Sequence, residues 1–230
     1  MDGILLVDKP KGWTSHDVVA KIRGILKEAT GQKVKVGHTG TLDPMATGLM
    51  ILVLGKYTKR AGEFSKLDKT YEVEATLGAT STTGDAEGQI SRKPKAQSRK
   101  PSFDEVKATT MSFIGRQMQK PPAFSAIKVG GQRAYKLARQ GKALKLDSRN
   151  ITIYDISDLK YAYPHLKFNV KVSSGTYIRS LVEDIGQKLG SGAYLLALRR
   201  TSVDKFNVTD AIDKKDLTNQ AELGIITPSE

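Results

Sequence analysis

The feature that most constrains this chain is an apolar run of six residues, LMILVL at positions 49–54, placed between Gly48 and Gly55. Six residues are far fewer than the roughly 20 that a membrane-spanning helix needs. A short run with no polar alternation, bounded by glycines, is typical of a strand that is covered on both faces. We therefore expect a central buried strand at this position.

The remaining periodicity predicts a mixture of strands and helices. Alternating or apolar patterns predict strands at residues 3–7, 71–77, 166–172 and 193–203. Helical spacing predicts helices that begin near Thr14 or Ser15, at the Ser102–Glu105 capping box, and at Ile178 before Gly190. Because strands and helices do not alternate regularly, the pattern favours an α+β fold with a mixed, mostly antiparallel sheet flanked by helices.

Charge and composition narrow the class of function. The chain of 230 residues has 37 basic and 24 acidic residues, a formal charge of +13, and it contains no cysteine and three histidines. Disulfides and thiolate metal sites are thereby excluded, and we expect no metal site. No secretory signal pattern opens the chain, so we expect a cytoplasmic location. The positive charge favours a nucleic-acid partner, with a merely solvated basic surface as the alternative.

The charge is concentrated in two segments. Residues 120–149 carry eight basic side chains and a single acid, together with paired prolines and glycines. This composition predicts a loop with a short helix near residues 133–140 that could clamp a phosphate backbone; the alternative is a solvated insertion. Residues 92–100 carry five basic side chains and are interpreted as a linker.

Three polar positions are candidates for chemistry. Asp43 follows a turn rich in glycine and threonine directly before the apolar strand, so its carboxylate is either functional or a helix N-cap before Pro44. Arg179 lies off the apolar stripe of its helix and could pair with a carboxylate or be solvated. Asp85 lies in TGDAEG, which has too few oxygen ligands for calcium and is interpreted as a hairpin or surface loop.

The segment GHTGTLDP at residues 37–44 resembles the catalytic motif of the TruB family, bacterial synthases that form pseudouridine at position 55 in the T loop of tRNA. Further patches similar to this family follow in order along the chain: Asp8-Lys9-Pro10, Lys69-Thr70-Tyr71, Pro121-Pro122 through Lys128, Gly175 to Arg179, and Leu198 to Thr201. The order of these motifs makes the resemblance specific.

The resemblance implies a pseudouridine synthase fold, with a catalytic domain at residues 1–212 and a basic thumb loop at about residues 120–149. It implies an isomerase that needs no cofactor, takes tRNA as its substrate, and acts as a monomer without an obligatory protein partner. The segment 213–230 is too short for the RNA-binding PUA-type domain of many relatives, and we expect there a short helix and a fraying tail. Two alternatives stay open, namely an RNA-folding chaperone and a guide-RNA-dependent synthase.

The same resemblance implies roles for individual residues. Asp43 matches the catalytic aspartate, Arg179 the arginine that pairs with it, and Tyr71 a tyrosine that packs on the flipped uracil and helps remove the C5 proton. The expected RNA or pocket contacts are Lys9, Pro10, His38, Lys59, Tyr177 and Leu198, with Lys128, Arg133 and Lys136 in the thumb loop. His16 and His165 match no motif and are expected on the surface. Asp204 stands where the family pattern has a glycine, so the final turn could differ.

Overall fold

A computed structural model describes residues 1–92, 100–125, 127–141, 146–213 and 225–226; for residues 128, 129, 135 and 139 it describes the backbone. In chain order the strands are β1 (Gly3–Lys9), β2 (Val36–His38), β3 (Thr47–Leu54), β4 (Lys69–Leu77), β5 (Ala79–Ser81), β6 (Ile90–Arg92), β7 (Gly115–Gln119), β8 (Lys128–Val129), β9 (Gln132–Arg133), β10 (Arg149–Ala162), β11 (His165–Val172), β12 (Ala193–Val203), β13 (Phe206–Asn207) and β14 (Ile225–Ile226). The α-helices are α1 (Ser15–Thr30), α2 (Ala61–Ser65), α3 (Phe103–Met111), α4 (Ala134–Arg139) and α5 (Ile178–Lys188). Two 3₁₀ helices span Gly55–Arg60 and Val208–Asp210.

The chain divides into two compact units, Met1–Glu72 with Leu198–Glu230, and Val73–Ala197. In the first unit the strand order is β14-β1-β3-β12. The pairs β14–β1, β1–β3 and β2–β3 are antiparallel, whereas β12 runs parallel to β3 with Arg200 opposite Gly48. A mixed and mostly antiparallel sheet, as predicted, follows from these registers.

Strand β3 is the buried strand that the apolar run predicts. Every residue from Gly48 to Leu54 is buried, and β3 is an interior strand, since β1 pairs along one of its edges while β2 and β12 pair along the other. Gly48 has φ +104°, and a Cβ there would meet the backbone of Arg200. A glycine is therefore required where β12 approaches β3.

The second unit contains the neighbouring strands β11, β10 and β7, which pair antiparallel. Buried residues alternate along β11, as its sequence pattern predicts. Helix α5 buries the predicted apolar stripe, and α3 begins at the predicted Ser102–Glu105 capping box. Hairpins β5–β6 and β8–β9 are antiparallel two-stranded ribbons.

Several expectations are refined by the structure. Helix α4 confirms the short helix expected in the thumb loop, while the β8–β9 hairpin beside it was missed. The interpreted linker falls largely on residues 93–99 and the expected C-terminal helix on residues 214–224, both outside the described residues. Ile225 and Ile226 pair with β1 as strand β14, which the expected fraying tail did not include. Asp204 adopts φ 51°, a left-handed conformation that glycine and aspartate tolerate in turns.

Candidate active site

Asp43 lies in the loop between β2 and β3, and its side chain is half-buried. The amide of Ala46 donates to the Asp43 carbonyl at 3.0 Å, which closes a turn over Pro44 and Met45. The chain continues from this turn into β3 rather than into a helix. The interpretation of Asp43 as a helix N-cap is therefore wrong, and its carboxylate is not used to begin a helix.

The backbone of this loop is held by side chains from distant parts of the first unit. The hydroxyl of Ser15 donates to the Leu42 carbonyl at 3.1 Å and accepts from the Leu42 amide at 2.9 Å. The guanidinium of Arg200 donates to the Gly40 carbonyl at 3.1 Å and to the Leu49 carbonyl at 2.6 Å. Ser15 and Arg200 are themselves buried, so Asp43 stands on a loop whose flanking carbonyls have fixed partners.

Lys9 binds a further carbonyl of this loop, that of Pro44. Its side chain is fully buried, and its ammonium donates to the carbonyls of Pro44 at 3.3 Å, Trp13 at 2.6 Å and Pro10 at 3.0 Å. The amide of Gly12 reaches the same Pro44 carbonyl at 2.8 Å. This placement suits the expected support of the pocket. A direct phosphate contact, which the resemblance also suggested, does not fit an ammonium without solvent access.

Replacing Ser15 with alanine is expected to lower the free energy of unfolding by about 1–3 kcal/mol, because both Leu42 backbone groups lose their buried partner. Urea unfolding followed by circular dichroism measures this loss. Ser65→Ala is the control, since that exposed hydroxyl donates to one carbonyl, of Gly62, and should cost much less. Equal stability of the Ser15 variant and the unchanged protein would contradict the role given to Ser15.

Tyr71 and Lys69 both lie on β4 and are both buried. The Lys69 ammonium donates to the carbonyls of Ser65, at 2.7 Å, and Leu67. Burial, and to a smaller extent the positive charge of Arg200, lower the pKa of Lys69 to about 8. Lys69 lies two residues before Tyr71, so β4 is anchored next to this tyrosine by a lysine that loses its proton at a lower pH than an ordinary lysine.

This lowered pKa has a measurable consequence for stability. Between a folded pKa of about 8 and an unfolded value near 10.5, the unfolded chain binds more protons, so the contribution of Lys69 to stability rises with pH. We expect the free energy of unfolding to gain about 2 kcal/mol from this group between about pH 7.5 and pH 9.5. Urea titrations of the unchanged protein and of Lys69→Met at both pH values measure it. An identical pH dependence of the two proteins would contradict the assignment.

In the second unit, Arg179 lies in the first turn of α5, and its side chain is 5% exposed. The guanidinium donates to the carbonyls of Thr83 at 3.1 Å and Phe124 at 2.8 Å. It also forms an ion pair with Asp85 at 3.7 Å, and the Asp85 side chain is equally buried. The alternative of a solvated helix charge is excluded by this burial.

Asp85 is the buried partner of Arg179 that the sequence interpretation missed. Of the two alternatives given for this segment, the hairpin is confirmed, because Asp85 lies between β5 and β6, and the surface loop is wrong, because the residue is buried. The hydroxyl of Thr83 and the amide of Glu87 donate to its carboxylate at 2.5 and 3.1 Å. Nearby on α5, burial raises the pKa of Glu183, and Asp184 and Asp85 raise it further while Arg179 lowers it. An acidic segment with small polar neighbours gave no local signal of this burial.

Tyr177 is the N-cap residue of α5 and is half-buried. The side-chain amide of Gln119 accepts from the Tyr177 amide at 2.8 Å and donates to the Tyr177 carbonyl at 3.0 Å. The guanidinium of Arg149 lies 4.6 Å from the centroid of the Tyr177 ring. The sequence interpretation did not name Gln119, which directly precedes the basic segment 120–149, and it counted Arg149 only among the basic residues of that segment, not as a site residue.

The other expected contact residues have the following positions. Pro10 and His38, the last residue of β2, are half-buried, and Leu198 is buried on β12. Lys59 is exposed on the 3₁₀ helix Gly55–Arg60. In the thumb loop, Arg133 and Lys136 are exposed and the backbone of Lys128 lies in β8. His16 and His165 are exposed, as expected. Within the described residues, no helix is long and apolar enough to cross a membrane. In the same part of the chain, no three His, Asp or Glu side chains are grouped closely enough to hold a metal ion.

Similarity to known protein families shows to which family this chain belongs. A family described as TruB family pseudouridylate synthase, N-terminal domain, matches residues 27–178. The chain belongs to the TruB family. The tRNA pseudouridylate synthase B C-terminal domain matches residues 179–224. Membership confirms the expected activity class, an isomerase that forms pseudouridine.

Relatives of the TruB family are similar over most of the chain. A tRNA pseudouridine synthase B of Opitutus terrae is 44% identical over 215 residues, 92% of this chain and 85% of that protein. The corresponding protein of Clostridium acetobutylicum is 45% identical over 220 residues, 96% of this chain and 73% of that protein.

Among solved structures, a chain from a Cbf5-Nop10-Gar1 complex has a TM-score of 0.70 at 30% identity over 93% of this chain. This chain spans 53% of that one, about half its length. A second chain, from an H/ACA RNP bound to a substrate RNA containing 2′-deoxyuridine, has a TM-score of 0.67 at 28% identity over 93% of this chain and 51% of its own length. Both likenesses confirm the pseudouridine synthase fold.

Proposed function

We propose that this protein converts uridine 55 in the T loop of tRNA to pseudouridine. The observation that carries the proposal is the position of Asp43, in the motif GHTGTLDP, on a loop pinned by Lys9, Ser15 and Arg200. Relatives described as tRNA pseudouridine synthase B, 41–45% identical, support tRNA as the substrate. The T loop and position 55 come from the family resemblance of the motifs.

Asp43 supplies the catalytic carboxylate in this proposal. The reaction breaks the bond between N1 of uracil and C1′ of ribose and joins C5 of the base to C1′, without net oxidation or reduction. An ionised carboxylate can attack C1′, add to C6 of the base, or remove the C2′ proton. Each route would use the carboxylate of Asp43, which stands on a loop whose backbone is held by Lys9, Ser15 and Arg200. A partner guanidinium from Arg179, implied by the resemblance, would favour the charged form.

The substrate base has to leave its stack in the T loop before any carboxylate can reach it. Flipping costs a few kcal/mol, and stacking on an aromatic ring returns about 1–3 kcal/mol per base. We assign this stacking to Tyr71, with Tyr177 and Leu198 as further pocket residues. Tyr71 is buried on β4, and Gln119 binds the backbone of Tyr177, so part of the ordering cost of these two residues is met before RNA binds.

We assign the grip on the T arm to the thumb loop. Exposed Arg133 and Lys136 lie on the β8–β9 hairpin and on α4, and Lys128 opens the same hairpin. Replacing all three with alanine is expected to weaken tRNA binding and to reduce the slope of log affinity against log salt by about 2–3, because each phosphate contact releases bound counterions. Filter binding at several salt concentrations measures the slope. An unchanged slope would return this segment to the solvated-insertion interpretation.

A second candidate is a guide-RNA-dependent synthase, which the likeness to the H/ACA RNP chain favours. We propose instead that the protein acts alone and as a monomer, since its identity to the tRNA pseudouridine synthase B relatives is higher. Turnover of a bare T-arm stem–loop by the isolated protein, with its mass measured by light scattering, separates the two. Turnover only after addition of a guide RNA would support the second candidate.

The experiment that tests the proposed function is an assay of purified protein on an unmodified tRNA transcript. The modified position is mapped by chemical labelling of pseudouridine and reverse transcription. We expect one strong stop, at position 55, in the unchanged transcript and none in a transcript with cytidine there. Modification at another uridine, or none at all, would reject the assignment to position 55.

A further inference from the structure

The segment 175–180, which carries the pocket residue Tyr177, is bound on both sides by the ends of the thumb loop. Gln119 is the last residue of β7 and directly precedes the thumb loop; Arg149 is the last residue of the loop and the first of β10. Their Cα atoms are direct partners in the β7–β10 pair. Both side chains reach the same residue, Tyr177.

The contact made by Gln119 has an unusual form. Its side-chain amide exchanges two hydrogen bonds with the backbone of Tyr177, one at 2.8 Å and one at 3.0 Å, and the side chain is 3% exposed. Two bonds from one planar amide fix both distance and orientation of the Tyr177 backbone. A change in the position of Gln119 is therefore transmitted to Tyr177.

Arg149 holds Tyr177 from the other end of the thumb loop. Its guanidinium lies 4.6 Å from the centre of the Tyr177 ring and donates to the carbonyl of Gly175. A cation over an aromatic face is attracted by the ring electrons. The Tyr177 ring, which we assign to the pocket, thus packs against Arg149 at the end of the thumb loop, while Gln119, the residue before the loop, binds the Tyr177 backbone.

Two further bonds tie the early part of the loop to α5. The hydroxyl of Ser180 donates to the Lys120 carbonyl at 3.0 Å, and the guanidinium of Arg179 donates to the Phe124 carbonyl at 2.8 Å. Because residues 120 and 124 belong to the thumb loop, a displacement of the loop acts on the turn of α5 that carries Arg179. These contacts all lie within the unit Val73–Ala197.

We propose that Gln119 is a positioning residue for Tyr177 and that, together with Arg149, it couples closure of the thumb loop on RNA to the pocket. The inference rests on the proposed function, because it takes the thumb loop as the part that grips RNA. We call the paired residues Gln119 and Arg149 the stem of the thumb loop. Without RNA this stem holds Tyr177 in place; when the loop closes on RNA, it displaces the stem and thereby sets the position of the Tyr177 ring. A connected set of hydrogen bonds and packed side chains of this kind can carry coupling between two sites.

The first test compares Gln119→Leu with Gln117→Leu. Leucine has a volume close to that of glutamine but cannot form either bond to Tyr177. Gln117 lies on the same strand, and its side chain donates instead to the Phe113 carbonyl at 3.1 Å, so it is a matched control. We expect the Gln119 variant to lose about tenfold or more in single-turnover rate at saturating tRNA, with affinity changed less than about twofold. A loss confined to affinity, or an equal loss in the Gln117 variant, would overturn the proposal.

Coupling is tested by combining Gln119→Leu with the thumb variant in which Lys128, Arg133 and Lys136 are alanine. If the stem transmits closure of the thumb loop, the leucine substitution costs less than about twofold in rate when the thumb has lost its grip. The same fold loss in both backgrounds would overturn coupling and leave Gln119 a local support.

A readout independent of turnover is hydrogen exchange of peptides that cover residues 173–182. Adding T-arm stem–loop RNA is expected to slow exchange of these amides in the unchanged protein and in Gln117→Leu, but not in Gln119→Leu. Equal slowing in all three proteins overturns the proposal, whether or not pseudouridine forms. Failure of the proposed function is recognised separately, as absence of product at position 55 in the unchanged protein. Arg149→Met, which replaces a partly exposed residue, is expected to reduce the slowing as well and serves if Gln119→Leu does not fold.

Discussion

Replacing Asp43 with asparagine is expected to lower the rate of pseudouridine formation by about 10⁴-fold or more, while tRNA binding stays within about twofold. Proton transfer by a side chain contributes about 10²–10⁴ in rate, so a loss at or above this range is expected for a group that acts directly on the ribose or the base. The amide keeps the size of the carboxylate, so the loop pinned at Gly40, Leu42 and Pro44 should persist. Single-turnover assays with tritium release from C5 measure the rate.

The matched control for this substitution is Asp204→Asn. Asp204 is exposed in the turn between β12 and β13 at φ 51°, a conformation that asparagine also tolerates. We expect this variant to keep full activity and stability. Substantial turnover by Asp43→Asn, at a rate near that of the control, would reject the catalytic role of Asp43.

Replacing Asp85 with asparagine is expected to reduce both stability and activity. The substitution removes the carboxylate that lies 3.7 Å from the buried Arg179 guanidinium, and loss of one member of a buried ion pair costs about 3–5 kcal/mol. Thr83 and Glu87 still find an acceptor oxygen on asparagine, so we expect the lower end, about 3 kcal/mol. Urea unfolding followed by circular dichroism measures it. Single-turnover rates at a temperature where the variant is folded should fall at least about tenfold, because Arg179 loses one of the contacts that orient it.

Asp155→Asn is the control for the Asp85 variant, because Asp155 belongs to the same unit but is exposed on β10. We expect its effect on unfolding to stay within about 0.5 kcal/mol. If the Asp85 variant were as stable and as active as this control, the ion pair with Arg179 would have no part in holding the site. The pairing of Arg179 with Asp43, implied by the resemblance, stays a prediction. A double-mutant cycle on Asp43 and Arg179 measures their coupling.

Much of the fold could be predicted from local patterns. Strands β1, β3, β4, β11 and β12 and helices α1, α3 and α5 all lie where periodicity and caps placed them. The end of β12 at Val203 coincides with the predicted end, and α1 begins after Thr14, one of the two caps predicted for it. These elements were visible because burial on one face leaves a period of 2 or 3.6 in the sequence. Short strands such as β5, β8 and β13 leave too few residues for a period to show.

The candidate site was only partly visible. Asp43, Tyr71, Tyr177 and Arg179 were named because their motifs resemble those of the TruB family, not because of any period in the chain. Asp85 and Gln119 were missed, since a polar residue shows no sign of burial until its distant partner is known. The partner of Asp85 lies 94 positions later along the chain, at Arg179.

By itself the sequence determined the class of fold, the positions of most long elements though not of the 14-residue β10, and the family to which the catalytic motif belongs, because these depend on neighbours within a few residues. Only the tertiary structure decided what holds the motif in place. The carbonyls of Gly40, Leu42 and Pro44 are bound by side chains from positions 200, 15 and 9. These hydrogen bonds join residues that are far apart in the sequence. They form only where the folded chain brings the residues together, so no local sequence pattern indicates them.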